Sequence, residues 1–85
     1  MNKNVLIYTF STCPYCIRAK RLLSRNNIEF EEIDISGDKD KLNELEKKTR
    51  MDTVPQIFVD GNFIGGCDDL YELYKNKEFP KTFGE

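Results

Sequence analysis

Histidine is absent from this 85-residue chain, and cysteine occurs only three times, as Cys13, Cys16 and Cys67. A tetrahedral zinc site wants four ligands, commonly cysteine or histidine. A closed site within this one chain would need an acidic ligand, so no metal is expected. The odd, sparse cysteine set also argues against a secreted disulfide scaffold, which at this size carries an even and denser one. In a reducing compartment, a close pair such as Cys13 and Cys16 is catalytic or metal-binding more often than a structural staple. Long apolar runs are missing too. The longest near the start, "VLIYTF", is too short for a signal-peptide core, and no small-residue cleavage site follows it. No segment could span a bilayer, so a cytoplasmic protein with no membrane partner is expected. Neither sign of charge dominates. Thirteen basic and fifteen acidic residues leave a formal net charge of −2, which exerts no general pull on nucleic acid. There is no repeat and no low-complexity tract. The length suits one domain over residues 1–85 with one modest core, working as a monomer.

What is present is a regular alternation of elements. "VLIYTF", Val5 to Phe10, is β-prone and almost wholly apolar, as a central strand buried on both faces would be. Pro14 suits the first turn of a helix, where its missing N–H costs nothing. That helix is expected to run to about Arg25, with Cys16, Ala19, Leu22 and Leu23 on one face and Arg18, Arg21 and Arg25 on another. "IEFEEIDI" reads as a second strand whose apolar phase slips between Phe30 and Ile33, the mark of an edge strand or a bulge. A helix follows in "SGDKDKLNELEKKTR", with Asp38 near its start and Leu42 and Leu45 inward. "QIFVDGNFIGG" predicts a β-hairpin turning at Gly61-Asn62. "CDDLYELYKNK" predicts a third helix with a capping box from Asp69 to Glu72 and an apolar face of Leu70, Leu73 and Tyr74. The tail "EFPKTFGE" looks too short for another element, and Phe79 and Phe83 are expected to cover core edge. The sum is an α/β fold: a four-stranded mixed sheet, a βαβ unit plus a β-hairpin, flanked by three helices.

Three stretches carry chemistry. The first is "CPYC". Cys13 sits where a buried strand meets a helix, so its sulfur can face the unpaired N–H groups of the first turn, those of Tyr15 and Cys16 among them. These and the positive end of the helix dipole favour thiolate, the nucleophilic form. Arg18, Lys20 and Arg21 add positive potential. Cys16 lies almost one turn further in, within reach of a disulfide yet less exposed. Cys13 is therefore expected to attack and Cys16 to resolve. The second stretch is "TVPQIF", where Pro55 precedes a strand. With a cis Val54–Pro55 bond, the Val54 backbone would face outward and could pair with an extended peptide; a plain strand-start proline is the simpler alternative. The third is "GGCDD". Paired glycines admit close approach, the helix start offers N–H groups to a carboxylate, and Asp68 offers an acceptor to an ammonium group. Taken alone, this stretch is better explained by ordinary turn-and-cap chemistry at Gly65, Gly66, Asp68 and Asp69.

"CPYC", "TVPQIF" and "GGCDDL", in this order and spacing, resemble the glutaredoxin family over nearly the whole chain. The resemblance implies a thioredoxin-like fold, with Cys13 as nucleophile and Cys16 as resolving thiol. It implies a thiol–disulfide oxidoreductase acting on glutathionylated or disulfide-bonded proteins. Glutathione would be its co-substrate, with no tightly bound cofactor. It implies that glutathione lies across Tyr15, Thr53, Val54 and cis-Pro55, with its γ-glutamyl end at Gly66, Cys67 and Asp68. Two positions depart from the family's habit: Phe10 stands where lysine is common, and Asp52 where arginine is. Both positions serve the glycine carboxylate of glutathione, and Lys47, Lys48 and Arg50 are the possible substitutes. Two rivals share much of this pattern. One is a redoxin recharged by thioredoxin reductase, against which "GGCDD" argues. The other is an iron–sulfur carrier bridging two chains, against which Pro14 and Cys16 argue.

Overall fold

The computed structural model describes residues 3–84; residues 1, 2 and 85 of the expected 1–85 domain lie outside the described residues. The chain runs β1 (Val5–Thr9), α1 (Pro14–Arg25), β2 (Glu31–Asp34), α2 (Lys39–Thr49), β3 (Gln56–Val59), β4 (Asn62–Gly65), α3 (Cys67–Lys75) and α4 (Phe79–Phe83). The strands form one sheet in the order β2-β1-β3-β4. β1 pairs parallel with β2 and antiparallel with β3, and β3 pairs antiparallel with β4.

Side-chain alternation on the two central strands builds two cores. Val5, Ile7, Ile57 and Val59 point to one face and pack on Ala19, Leu22 and Leu23 of α1, Leu70 of α3 and Phe79 and Phe83 of α4. Tyr8 and Phe58 point to the other face and pack with Ile35 and with Leu45 of α2. The reading of "VLIYTF" as a strand buried on both faces is thereby met. β2 is an edge strand, as its slipped phase suggested, but it is shorter than "IEFEEIDI"; the register shift lies elsewhere, between β3 and β4, where Ile64 is the extra residue opposite Ile57 and Phe58.

Three details differ from expectation. The hairpin turns at Asp60-Gly61, not Gly61-Asn62: their φ values of 51° and 84° are both positive, as a type I′ turn requires, and Asn62 opens β4. Asp60 is held there by reciprocal bonds, its N–H to Asn4 O and its Oδ1 from Asn4 N, each 2.8 Å. On α3 the capping box is three residues earlier than expected. Gly66 is the N-cap, and Asp69 accepts its N–H at 3.0 Å. Finally, the tail does form a helix, making four rather than three. Pro80 sits in its first turn, Phe79 and Phe83 both turn into the core, and the Phe83 carbonyl accepts the N–H of Lys3 at 3.3 Å. Tail burial was foreseen; what five residues lack in intrinsic helix stability, two buried aromatic rings supply. Among the described residues no helix is long and apolar enough to cross a membrane.

Candidate functional site

Cys13 is the N-cap of α1. Its backbone is extended (φ −118°, ψ 109°), its carbonyl accepts from Ile17 N at 3.1 Å, and its Sγ accepts from Cys16 N at 3.2 Å. The sulfur thus occupies the place where a capping oxygen usually sits, against the positive end of the helix. Of the two expected N–H partners, Cys16 is the one that meets it. The Cys13 thiol also donates to Val54 O at 3.8 Å. Pro14 follows as the first helical residue.

Cys16 is the inner thiol, 1% exposed against 9% for Cys13. Burial first, and then its hydrogen bond to Cys13, push the Cys16 thiol up to about 12, while Lys20 one turn on pulls weakly the other way. Cys16 is thus held as a thiol until something takes its proton. Lys20 is not a free charge. Its ammonium meets Glu32 at 2.9 Å, and the same Glu32 oxygen accepts from the buried Thr9 hydroxyl at 2.6 Å. The Thr9 and Lys20 contacts hold the Glu32 carboxyl below its usual value. The expected cationic surround of Cys13 is therefore reduced, since Glu32 offsets Lys20 and only Arg18 and Arg21 of the three lack an ion pair among the described residues.

Beside the cysteines lies a cleft of about 320 Å³, lined by Tyr15, Met51, Thr53, Val54, Pro55, Gly66, Cys67, Asp68 and Asp69. All seven residues expected to hold the tripeptide line it. They come from three separated segments: the first turn of α1, the loop after α2 and the start of α3. The Val54–Pro55 peptide is cis. Opposite it, a Cβ on Gly66 would stand 3.1 Å from Pro55 O, and one on Gly65, at φ +125°, would collide with the Asp69 carboxylate. Gly65 therefore makes room for the Asp69 cap, and Gly66 both admits the Pro55 backbone and lines the cleft. Asp69 is spent on Gly66 N, which leaves Asp68, exposed at the first turn of α3, as the carboxylate free to meet a ligand. Cys67 is buried, and burial followed by the nearby Asp68 charge pushes its thiol up.

Met51 and Asp69 were missed in the sequence. Met51 carries no signal, because nothing local tells a lining methionine from a surface one. Asp69, expected as the N-cap itself, is instead the N3 carboxylate that caps Gly66, and that position borders the cleft. Phe10 is half-buried and packs its ring in the α2-side core with Tyr8, Ile35, Leu45 and Phe58. Among the described residues, no lysine or arginine lines the cleft. Of the suggested substitutes, Lys48 stands 5.3 Å over the Phe58 ring and is committed to that face.

A cysteine pair at a strand–helix junction, facing a cis-proline on a four-stranded mixed sheet, defines a thioredoxin-like protein built for thiol–disulfide chemistry. The family model described as Glutaredoxin matches residues 5–64. The curated Glutaredoxin 3 of Escherichia coli (strain K12) is 56% identical over 70 residues, covering 82% of this chain and 84% of the relative. The solution structure of glutaredoxin from Brucella melitensis superposes with a TM-score of 0.85 at 41% identity, over 99% of this chain and 94% of that one. The crystal structure of a buckwheat glutaredoxin–glutathione complex superposes with a TM-score of 0.88 at 27% identity, over 98% of this chain and 77% of that one. The chain belongs to the glutaredoxin family and is a thiol–disulfide oxidoreductase.

Proposed function

We propose that the protein uses glutathione to reduce protein–glutathione mixed disulfides through Cys13 alone, and protein disulfides through Cys13 with Cys16. The observation that carries this reading is the continuity of the cleft with the nucleophile: Val54 lines the cleft and accepts the Cys13 thiol on its carbonyl. The likeness to a structure solved with glutathione supports the choice of ligand.

In this reading the tripeptide backbone pairs with Val54 as a short extra strand, flanked by Tyr15, Thr53 and Pro55. The γ-glutamyl carboxylate meets the free N–H groups at the start of α3, including that of Cys67, beside Gly66. Asp68 takes the ammonium group. Cys67 serves through its backbone, and its thiol is a bystander.

The Cys13 thiolate attacks the glutathionyl sulfur of the mixed disulfide. The protein thiolate leaves and takes a proton, and Cys13 carries glutathione. The thiolate of a second glutathione attacks that sulfur, so oxidised glutathione departs and the Cys13 thiolate returns. On a protein disulfide, Cys13 attacks one sulfur and frees the other. Cys16 then loses its proton and attacks Cys13 Sγ, freeing the second protein thiol and closing the Cys13–Cys16 disulfide. Two glutathione molecules supply the two electrons that reopen it. Glutathione is thus a co-substrate rather than a resident cofactor. The remaining partners are glutathionylated or disulfide-bonded proteins, met by a cytoplasmic, monomeric single domain.

The test supplies glutathione as the only electron source and follows release of a glutathionylated protein. The wild type should turn over and Cys13→Ser should not. Cys16→Ser should keep this reaction while losing intramolecular reduction of a protein disulfide. Turnover only with a reductase-linked dithiol, and none with glutathione, would overturn the reading.

A further inference from the structure

Gln56 opens β3 with its side chain fully buried, at 0% exposure. A buried amide is expensive unless its groups are paired, and these are all used. Its Nε2 donates to Met51 O at 2.8 Å and to Thr53 O at 3.0 Å, while its Oε1 accepts from the Thr49 hydroxyl at 2.9 Å. Thr49 in turn accepts the N–H of Met51 at 3.2 Å. The side chain therefore folds back over the loop that precedes it. That loop starts at Arg50, in the left-handed region at φ 64°, and ends at Pro55; it has no strand partner of its own.

Two of the carbonyls it grips belong to Met51 and Thr53, which line the cleft, and the loop's next residue is Val54, whose carbonyl meets Cys13. We infer that Gln56 is a positioning residue for the reaction: its amide clasps the loop so that Val54 and Thr53 present an ordered backbone edge to the tripeptide next to the Cys13 sulfur. This rests on the proposed glutathione reading of the cleft. A loop held in its bound shape loses less freedom on binding, so the clasp should act on ligand capture. Cys13 itself is held chiefly by α1, as its N-cap and by the N–H of Cys16, and it touches the clasped loop only at Val54 O among the bonds of the described residues.

Gln56→Met keeps length and apolar volume but removes both donors and the acceptor. Thr49→Val is the milder partner, removing one hydroxyl that meets the Gln56 amide, accepts the N–H of Met51 and also lies 2.9 Å from Leu45 O. The full chain is assayed with a glutathionylated peptide, alongside thermal unfolding and the rate at which iodoacetamide alkylates Cys13. For Gln56→Met, KM should rise about tenfold while kcat and the alkylation rate change less than about twofold. Thr49→Val should shift KM in the same direction by about threefold. A lowered unfolding temperature with KM unchanged would make Gln56 a structural residue only and overturn the inference. So would an equal loss in alkylation rate, which would place the effect on the nucleophile. If Gln56→Met does not fold, the Thr49→Val KM decides in the same two directions. A wild type that ignores the glutathionylated peptide would instead fail the glutathione reading itself, a separate outcome.

Discussion

Asp68 and Cys16 show how much a single side chain can decide here. Asp68 stands exposed at the first turn of α3, whereas its neighbour Asp69 is tied to Gly66 N. A charge-assisted hydrogen bond contributes about 1.5–3 kcal/mol. Asp68→Ala should therefore raise the KM for glutathionylated substrates by about tenfold or more, and should leave a disulfide without a γ-glutamyl group nearly unaffected. Equal loss on both substrates in steady-state kinetics would make Asp68 a helix-start charge and nothing more. For Cys16 the consequence is a pH dependence of stability. The folded chain keeps that proton to about 12, whereas the thiol's ordinary value is 9.0. Between those values the folded state binds more protons than the unfolded one. The stabilising contribution is complete below pH 9.0 and is lost as pH rises towards 12. Urea unfolding of the wild type should weaken across that window by at most about 1.4 kcal/mol per pH unit from this group. Cys16→Ala should show a shallower alkaline loss, and parallel curves would contradict the assignment.

At the scale of elements, the tail helix is the least predictable piece and one of the most exposed to test. α4 has five residues, too few to persist alone. It holds because Phe79 and Phe83 pack edge to face at 5.0 Å, Phe79 meets Tyr74 of α3 at 5.5 Å, and both phenylalanines enter the core beneath α1 and α3. Phe83→Ala should cost about 3–5 kcal/mol in chemical denaturation, far more than an element at the chain's end would ordinarily be worth. Because the cleft is built from α1, the loop after α2 and the start of α3, the folded variant should keep its KM. A stability loss below about 1 kcal/mol would mean the tail merely rests on the surface.

Across the whole molecule, charge is laid out unevenly although its sum is small. The exposed face of α1 carries Arg18, Arg21 and Arg25, while among the described residues the cleft is lined by Asp68 and Asp69 and by no cation, with exposed Asp52 in the loop after α2. A ligand with a free carboxylate at its far end meets no countercharge there. Asp52→Lys supplies one at an exposed position without disturbing the packed Phe10 ring. The KM for glutathionylated substrate should fall by about two- to fivefold at low salt, since an exposed pair contributes about 0–1 kcal/mol. The gain should shrink as ionic strength rises, because such a pair is screened. Kinetics at two salt concentrations check this; an unchanged KM at low salt would indicate that Lys47 or Arg50 already reaches the carboxylate.

Local pattern was enough to place the pair of cysteines on a strand–helix junction, the order of the four strands and the first three helices, and the buried stripe of Cys16, Ala19, Leu22 and Leu23, because helix and strand periodicity, proline and glycine act over a few residues. The family resemblance carried by the three motifs named seven of the nine residues that line the cleft. What local pattern did not decide lay in contacts between distant segments. The tail became helical because a core cavity accepts two of its rings. Met51 joined the cleft because its loop is clasped by Gln56, and Lys20 lost its free charge to Glu32 on the neighbouring strand. In each case the deciding energy comes from burial or pairing with residues far away in sequence, and those partners exist only once the sheet has brought them together.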